Sequence, residues 1–234
     1  MINQFKSIAN RLYNHLFFYP YRSKSAREVF DDIYSKKIWK SKSYSGPGSE
    51  LDQTKLVRKT LLEVFVNYSI KSVLDVPCGD WLWMRLVDLS AVGYTGGDIV
   101  QRVVDENQQF ASDRVSFHNL NILEDTLPQH DLILCRDCLV HFSYQDIRVA
   151  IRNIIGSQCK FLLTTTFPAK KNYNIITGNW RPINLQEPPF MFPNPIAIFN
   201  EGCTEGNGRY KDKSLALWDL NELRSLESFK NQWI

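Results

Sequence analysis

Nothing in this sequence offers a cradle for a phosphate chain. It has no GxGxxG run and no GxxxxGK[ST] run, which excludes dinucleotide-type and P-loop chemistry at its glycine turns. No apolar run approaches the ~18 residues of a membrane span, and no secretory pattern opens the chain. The five cysteines, Cys78, Cys135, Cys138, Cys159 and Cys203, are odd in number and mostly sit in apolar, strand-like segments, so a disulfide framework is not expected. Cys135 and Cys138 stand in CxxC spacing, but no second pair or HxxxH accompanies them, and neither a zinc site nor a redox role is expected. An excess of one charge is lacking too: 28 basic against 25 acidic residues leave a net charge of +3. No Lys/Arg run calls for a nucleic-acid partner, while mild basicity suits an anionic small substrate. The simplest reading is a reduced, cytoplasmic protein with no membrane span.

At 234 residues, 44% apolar and 13% aromatic, the chain can bury a sizeable core, and one domain with decorations is expected. Residues 1–35 read as one or two amphipathic helices broken at Pro20, with Ile8, Leu12, Leu16, Val29 and Ile33 at helical spacing, forming an N-terminal extension to the core. The aromatic segment Leu12 to Tyr21 suits packing on its own domain, a partner or a membrane surface, and leaves a homodimer open. A Ser/Gly-rich loop carrying Trp39 spans 36–50. Ser49 then reads as the N-cap of a helix with a stripe of Leu56, Leu61, Leu62, Phe65 and Val66.

From Ser72 onward, short apolar runs alternate with helical patterns, which is how repeated βα units on a parallel sheet read. Strands are expected at 72–77, 93–98, 115–120, 131–136 and 160–166, with helices near 81–90, 100–110 and 143–155. A Pro-rich, aromatic loop follows at 168–195. Two further apolar runs, Ile196 to Glu201 and Ser214 to Trp218, read as an antiparallel hairpin.

Three positions past the expected strand ends carry the chemistry. Ser72 to Asp80 is a buried strand running into Pro77 and Gly79, and such strand ends are where open α/β sheets bind ligands. Asp98, about twenty residues on, is placed to accept both hydroxyls of a ribose. Asn121 and Ile122 follow the third strand, where an amide and an apolar side chain suit a purine's edge and face. A ribose-and-adenine ligand without a phosphate chain fits this set.

These residues resemble class I S-adenosylmethionine-dependent methyltransferases. More narrowly, they resemble a bacterial group associated with surface-glycan (capsule) biosynthesis. The matches are Trp39, Ser45-Gly-Pro-Gly-Ser49, Leu74-Asp-Val-Pro-Cys-Gly-Asp80, Gly97-Asp98-Ile99, Cys135-Arg-Asp-Cys-Leu-Val-His-Phe142 and Leu215-Ala-Leu-Trp218, over roughly residues 34 to 220. Asn121 departs from the acid common in relatives, though its amide oxygen still accepts a hydrogen bond. The resemblance implies a Rossmann-like, doubly wound, seven-stranded, mostly parallel sheet with a C-terminal antiparallel hairpin, making residues 36–234 a methyltransferase domain.

It further implies S-adenosyl-L-methionine as cofactor. Asp75, Cys78 and Gly79 would face its methionine end, Asp98 and Ile99 its ribose, and Asn121 and Ile122 its adenine, while Trp39, Ser45, Gly46 and Ser49 fold over it. The implied acceptor is a sugar hydroxyl, on a nucleotide-linked or phosphorylated sugar. Other readings are a small non-sugar metabolite, a protein side chain, or a non-catalytic module that only binds the cofactor. Asp137 and His141, four apart, would share a helix face as general base or as ligands of magnesium or manganese, although capping and core packing explain them too. Arg136 suits the cofactor, a substrate anion or a structural acid. Trp180, Arg181, Asn184 and Phe190 mix aromatic faces with hydrogen-bonding groups suited to a sugar ring, or else form the small core of their loop.

Overall fold

The computed structural model describes residues 16–226. Seven strands form one sheet in the order β3-β2-β1-β4-β5-β7-β6. These are β1 (Ser72–Asp75), β2 (Gly93–Asp98), β3 (Val115–Asn119), β4 (Leu132–Cys135), β5 (Phe161–Thr166), β6 (Ala197–Asn200) and β7 (Ser214–Asp219). The first five pair in parallel, and β7 pairs antiparallel with both β5 and β6. The expected strands and the C-terminal hairpin are therefore present, with ends shifted by a residue or two. Because β1 and β4 are neighbours whose flanking strands run outward in opposite directions, the carboxyl edge there is the switch point where a crevice opens.

Central strands read as near-continuous apolar runs because helices cover both faces. Among the described residues these include α1 (Ala26–Ser35), α2 (Lys55–Asn67), α3 (Gln101–Asn107), α4 (Tyr144–Gly156) and α5 (Leu220–Ser225). On one face Leu74, Ile133 and Leu162 pack with Ile147, Ile151 and Ile154 of α4. On the other, Val73, Leu132 and Leu163 pack with Val57, Leu61, Val64 and Phe65 of α2. None of the helices among the described residues is long and apolar enough to cross a membrane.

Four local expectations are revised. No α-helix occupies 81–90; a single 3-10 turn lies at Met84–Leu86, because Trp81 takes φ 53 to drive its ring between Tyr94, Phe110 and Phe117. Ser49 is no N-cap but ends the turn Pro47–Ser49, and α2 starts six residues later. The buried stripe of α2 runs through Val57, Leu61, Val64 and Phe65, leaving Leu56, Leu62 and Val66 outward. Helix α1 is no appendage either: Val29, Phe30 and Ile33 join the core of the α4 face. Of the N-terminal residues expected to form the first helix, Ile8 and Leu12 lie outside the described residues.

Candidate functional site

The turn after β1 is built around Gly79. At φ 57 it takes a conformation that costs glycine nothing, and its N–H donates to Asp98 Oδ2 at 3.1 Å. A Cβ there would stand 2.2 Å from Ser45 Oγ, so the 36–50 loop packs directly on this turn. Asp80 holds that loop down, accepting from Ser43 Oγ at 2.8 Å and the Tyr44 amide at 2.9 Å while its own amide donates to Ser45 Oγ at 2.9 Å. Tyr34 of α1 adds a hydroxyl contact to Ser45 Oγ at 3.0 Å. Helix α1 is in turn anchored over the ends of β2 and β3, where Arg27 donates to the Ile99 carbonyl (2.6 Å) and to Asn119 Oδ1 (3.0 Å).

Two small cavities follow the carboxyl edge of the sheet. One, of about 60 Å³, is bounded by Asp98, Ile99, Asn121 and Ile122 on the strand side and by Phe30 and Tyr34 on the other. The second, about 50 Å³, is bounded by Ser45, Ser49, Asp75, Cys78, Gly79 and Arg136. Their carboxylates are costly to bury. Burial raises Asp75 to about 7, against the Tyr94 hydroxyl that donates to it at 2.7 Å and the nearby Arg136. Burial likewise raises Asp98 to about 6, against the amides of Val100 and Gly79. Asn121 Oδ1 already accepts from the Leu123 amide at 3.0 Å, which fixes the orientation of its side chain.

Beside them lies a larger cavity of about 420 Å³, whose walls include Trp39, Gly46, Gly48, Trp180, Glu205 and Tyr210. Its floor is a buried charge cluster. Lys213 Nζ lies 2.6 Å from Asp137 Oδ2 and 3.6 Å from Glu201 Oε2, and Arg136 pairs with Glu201 at 2.7 Å and Asp137 at 3.4 Å. Arg136 also donates to the Gly48 carbonyl at 2.8 Å. Although burial works to raise it, Lys213 and Arg136 hold the Asp137 carboxyl well below the usual carboxylate range. A Cβ on Gly48 would meet Asp137 Oδ2 at 3.0 Å and Lys213 Nζ at 3.2 Å, so the second glycine of the SGPGS loop admits the loop onto this cluster.

Asp137 and His141 do not share a helix face. Asp137 takes φ 52, and His141 ends a 3-10 turn, Leu139–His141, separate from α4. His141 Nδ1 stands 3.0 Å from the Asn179 carbonyl, and since a carbonyl only accepts, Nδ1 carries the hydrogen and Nε2 keeps its lone pair. Burial pushes this imidazole down to about 4, so it is neutral near pH 7. Its ring lies 5.0 Å from that of Trp39 at an angle of 35°. Trp39, Asp137 and His141 line all three cavities, so they are the common wall of one continuous site.

Of the four residues expected to hold a substrate, only Trp180 lines the large cavity, edge-on to Tyr210 with ring centroids 4.8 Å apart. Arg181 is fully buried and donates to the carbonyls of Leu139 (2.8 Å), Phe142 (2.8 Å) and Tyr173 (3.2 Å). Asn184 donates to the Pro168 carbonyl (3.0 Å) and accepts from the Gln186 amide (3.0 Å), and Phe190 packs edge-on to Tyr144. These three build the 168–195 loop rather than its surface. Sequence reasoning missed Tyr34 and Lys213. Tyr34 sits one turn beyond the Phe30 it packs beside, a helical spacing that reads as core, and Lys213 meets Asp137 across 76 residues of chain, which no local pattern reveals.

No protein-family model matches the chain, and no curated protein matches it either. Solved structures do resemble it. The N-methyltransferase NodS from Bradyrhizobium japonicum WM9 has a TM-score of 0.50 at 13% identity, over 72% of this chain and 96% of that one. PigF with SAH has a TM-score of 0.52 at 12% identity, over 71% of this chain and 55% of that one, so the match spans about half of PigF. Magnesium protoporphyrin IX methyltransferase (ChlM) from Synechocystis PCC 6803 with bound SAM has a TM-score of 0.49 at 15% identity, over 65% of this chain and 81% of that one. At such identities the likeness is one of fold: the seven-stranded, Rossmann-like methyltransferase fold.

Proposed function

We propose that this chain binds S-adenosyl-L-methionine and methylates a sugar hydroxyl, on a nucleotide-linked or phosphorylated sugar destined for a capsule or related surface glycan. The observation that carries the reading is the meeting of two strand-end cavities and one larger cavity at Trp39, Asp137 and His141. A methyl donor on one side and an acceptor on the other need such a junction.

The residues fit this cofactor by their chemistry. Asp75 and Asp98 are desolvated carboxylates, and a ligand that brings an ammonium and a ribose diol relieves both. Asp98 and Ile99 would hold the ribose, Asn121 and Ile122 the adenine, and Asp75, Cys78, Gly79 and Arg136 the methionine end. Trp39, Ser45, Gly46 and Ser49 would exclude water, with Asp80 and Tyr34 fastening their loop. When bound, the cofactor supplies an electrophilic methyl group on a sulfonium, which leaves the protein chiefly the task of positioning.

His141 would take the proton that the acceptor oxygen loses, because Nε2 is its free acceptor at the junction. Asp137 is a poorer base: Lys213 and Arg136 hold it ionised, and it serves to orient Lys213. A magnesium or manganese ion at Asp137 would have to displace an ammonium 2.6 Å away. Trp180, with Phe167 and Tyr210, offers an aromatic wall for a sugar's C–H face. The reading is tested by following S-adenosylhomocysteine release over a panel of sugar nucleotides, small metabolites and peptides. Indifference to every sugar would sink the acceptor assignment, and tight cofactor binding without turnover on anything would favour a binding module.

A further inference from the structure

We infer that Glu205 selects the acceptor by charge: the large cavity takes a sugar ring that is neutral or carries an ammonium group and rejects one that carries a carboxylate. The inference rests on the methyltransferase reading above and deepens it.

The two buried cations at the cavity floor are already committed. Lys213 is shared between Asp137 and Glu201, and Arg136 is bound to Glu201, Asp137 and the Gly48 carbonyl, with its guanidinium over the Trp83 ring at 5.5 Å. These four charges cancel. Glu205 is a fifth, and it has no ion-pair partner among the described residues; its one polar contact is the Cys203 thiol at 3.8 Å. Its Oε2 lies 3.5 Å from the point where a Cβ on Gly48 would stand, at the cavity wall beside Asp137 and Lys213. The cavity therefore carries one negative charge in excess. A carboxylate with open lone pairs accepts from hydroxyls or an ammonium and repels a second anion.

A nucleotide-linked or phosphorylated acceptor fits with its ring in the cavity and its phosphates at the mouth. Arg209 and Lys211 flank the wall residue Tyr210 in the chain, are exposed, and have no ion-pair partner among the described residues. These exposed cations would meet the phosphates while the cavity takes the ring.

The test is calorimetric titration of the protein loaded with S-adenosylhomocysteine against UDP-glucose, UDP-glucosamine and UDP-glucuronate, the latter two each differing from UDP-glucose at one carbon of the sugar. UDP-glucuronate is expected to bind about tenfold more weakly than UDP-glucose, with UDP-glucosamine at least as tight as UDP-glucose. Glu205→Gln is expected to narrow the glucose-to-glucuronate ratio to about two- to threefold, with S-adenosylhomocysteine affinity unchanged. Equal or tighter binding of the glucuronate, a ratio that survives Glu205→Gln, or no binding of any of the three overturns the inference alone. Failure of S-adenosylhomocysteine to bind overturns the methyltransferase reading as well.

Discussion

The strand-end groove is made mainly of residues that finish strands or begin the turns after them, held by neighbours no further away than the adjoining βα unit: Tyr94 donates to Asp75 and the Gly79 amide to Asp98. The large cavity is made of side chains from four loops, and its floor joins Asp137 to Lys213 across 76 residues. The electrostatics differ in the same way. In the groove, Asp75 and Asp98 are buried with no ion-pair partner among the described residues, only hydrogen bonds, and are raised to about 7 and about 6. On the cavity floor, carboxylates and cations are matched in charge before any ligand arrives, although Glu201 Oε1 is left without a hydrogen bond. A site that waits for a cationic, hydroxyl-rich ligand stands beside one already neutralised apart from Glu205.

The sharpest way to separate the two halves is at their junction. His141→Ala is expected to lower turnover by about 100- to 1,000-fold while cofactor affinity changes less than about threefold, with single-turnover kinetics and titration as the paired readouts. An equal loss of both would make His141 a structural residue holding Asn179 and Trp39. Arg181→Ala comes next. It strips partners from the buried Leu139 and Phe142 carbonyls and is expected to cost on the order of 2 to 4 kcal/mol of unfolding free energy in a denaturant melt. If stability holds and only the acceptor KM rises, the residue belongs to the acceptor surface after all.

Asp98→Ala is expected to weaken cofactor binding by about 1 to 3 kcal/mol, because it removes a charged acceptor from two hydroxyls; unchanged affinity would undo the ribose assignment. Gly48→Ala pushes a methyl to 3.0 Å from Asp137 Oδ2 and is expected to raise the acceptor KM about three- to tenfold without touching cofactor affinity.

The smallest effect is in pH. Asp75 and Asp98 have folded values above their ordinary ones, so the folded chain keeps protons that the unfolded chain has released; stability is lost as pH rises from about 4 to about 7. A ligand that needs both carboxylates ionised binds in the opposite sense, and cofactor affinity is expected to fall as pH drops from 7 to 5. The acceptor KM should stay flat over that range, because Asp137 remains ionised and His141 neutral.

What was legible in the sequence follows the same division. Strand ends were readable because β1 and β4 are short apolar runs and β2, β3 and β5 are short runs of strand-compatible residues, most of them stopping at polar turns, and that grammar puts Asp75, Gly79, Asp98 and Asn121 at or just past strand ends. Trp81 broke the helix expected at 81–90 because burying an indole among three other aromatic rings outweighed the periodicity. Arg181 and Asn184 resembled substrate contacts because a loop without strands needs polar side chains to satisfy its own carbonyls, and composition does not distinguish inward from outward. Tyr34 was hidden because helix α1 lies before the recognisable motifs yet forms the groove's outer wall.

The most direct test is a crystal grown with S-adenosylhomocysteine. The expected placement has its ribose at Asp98 and Ile99, its adenine at Asn121 and Ile122, and its sulfur facing the junction of Trp39 and His141. Density for the molecule anywhere else, or none at saturating concentration, would contradict it.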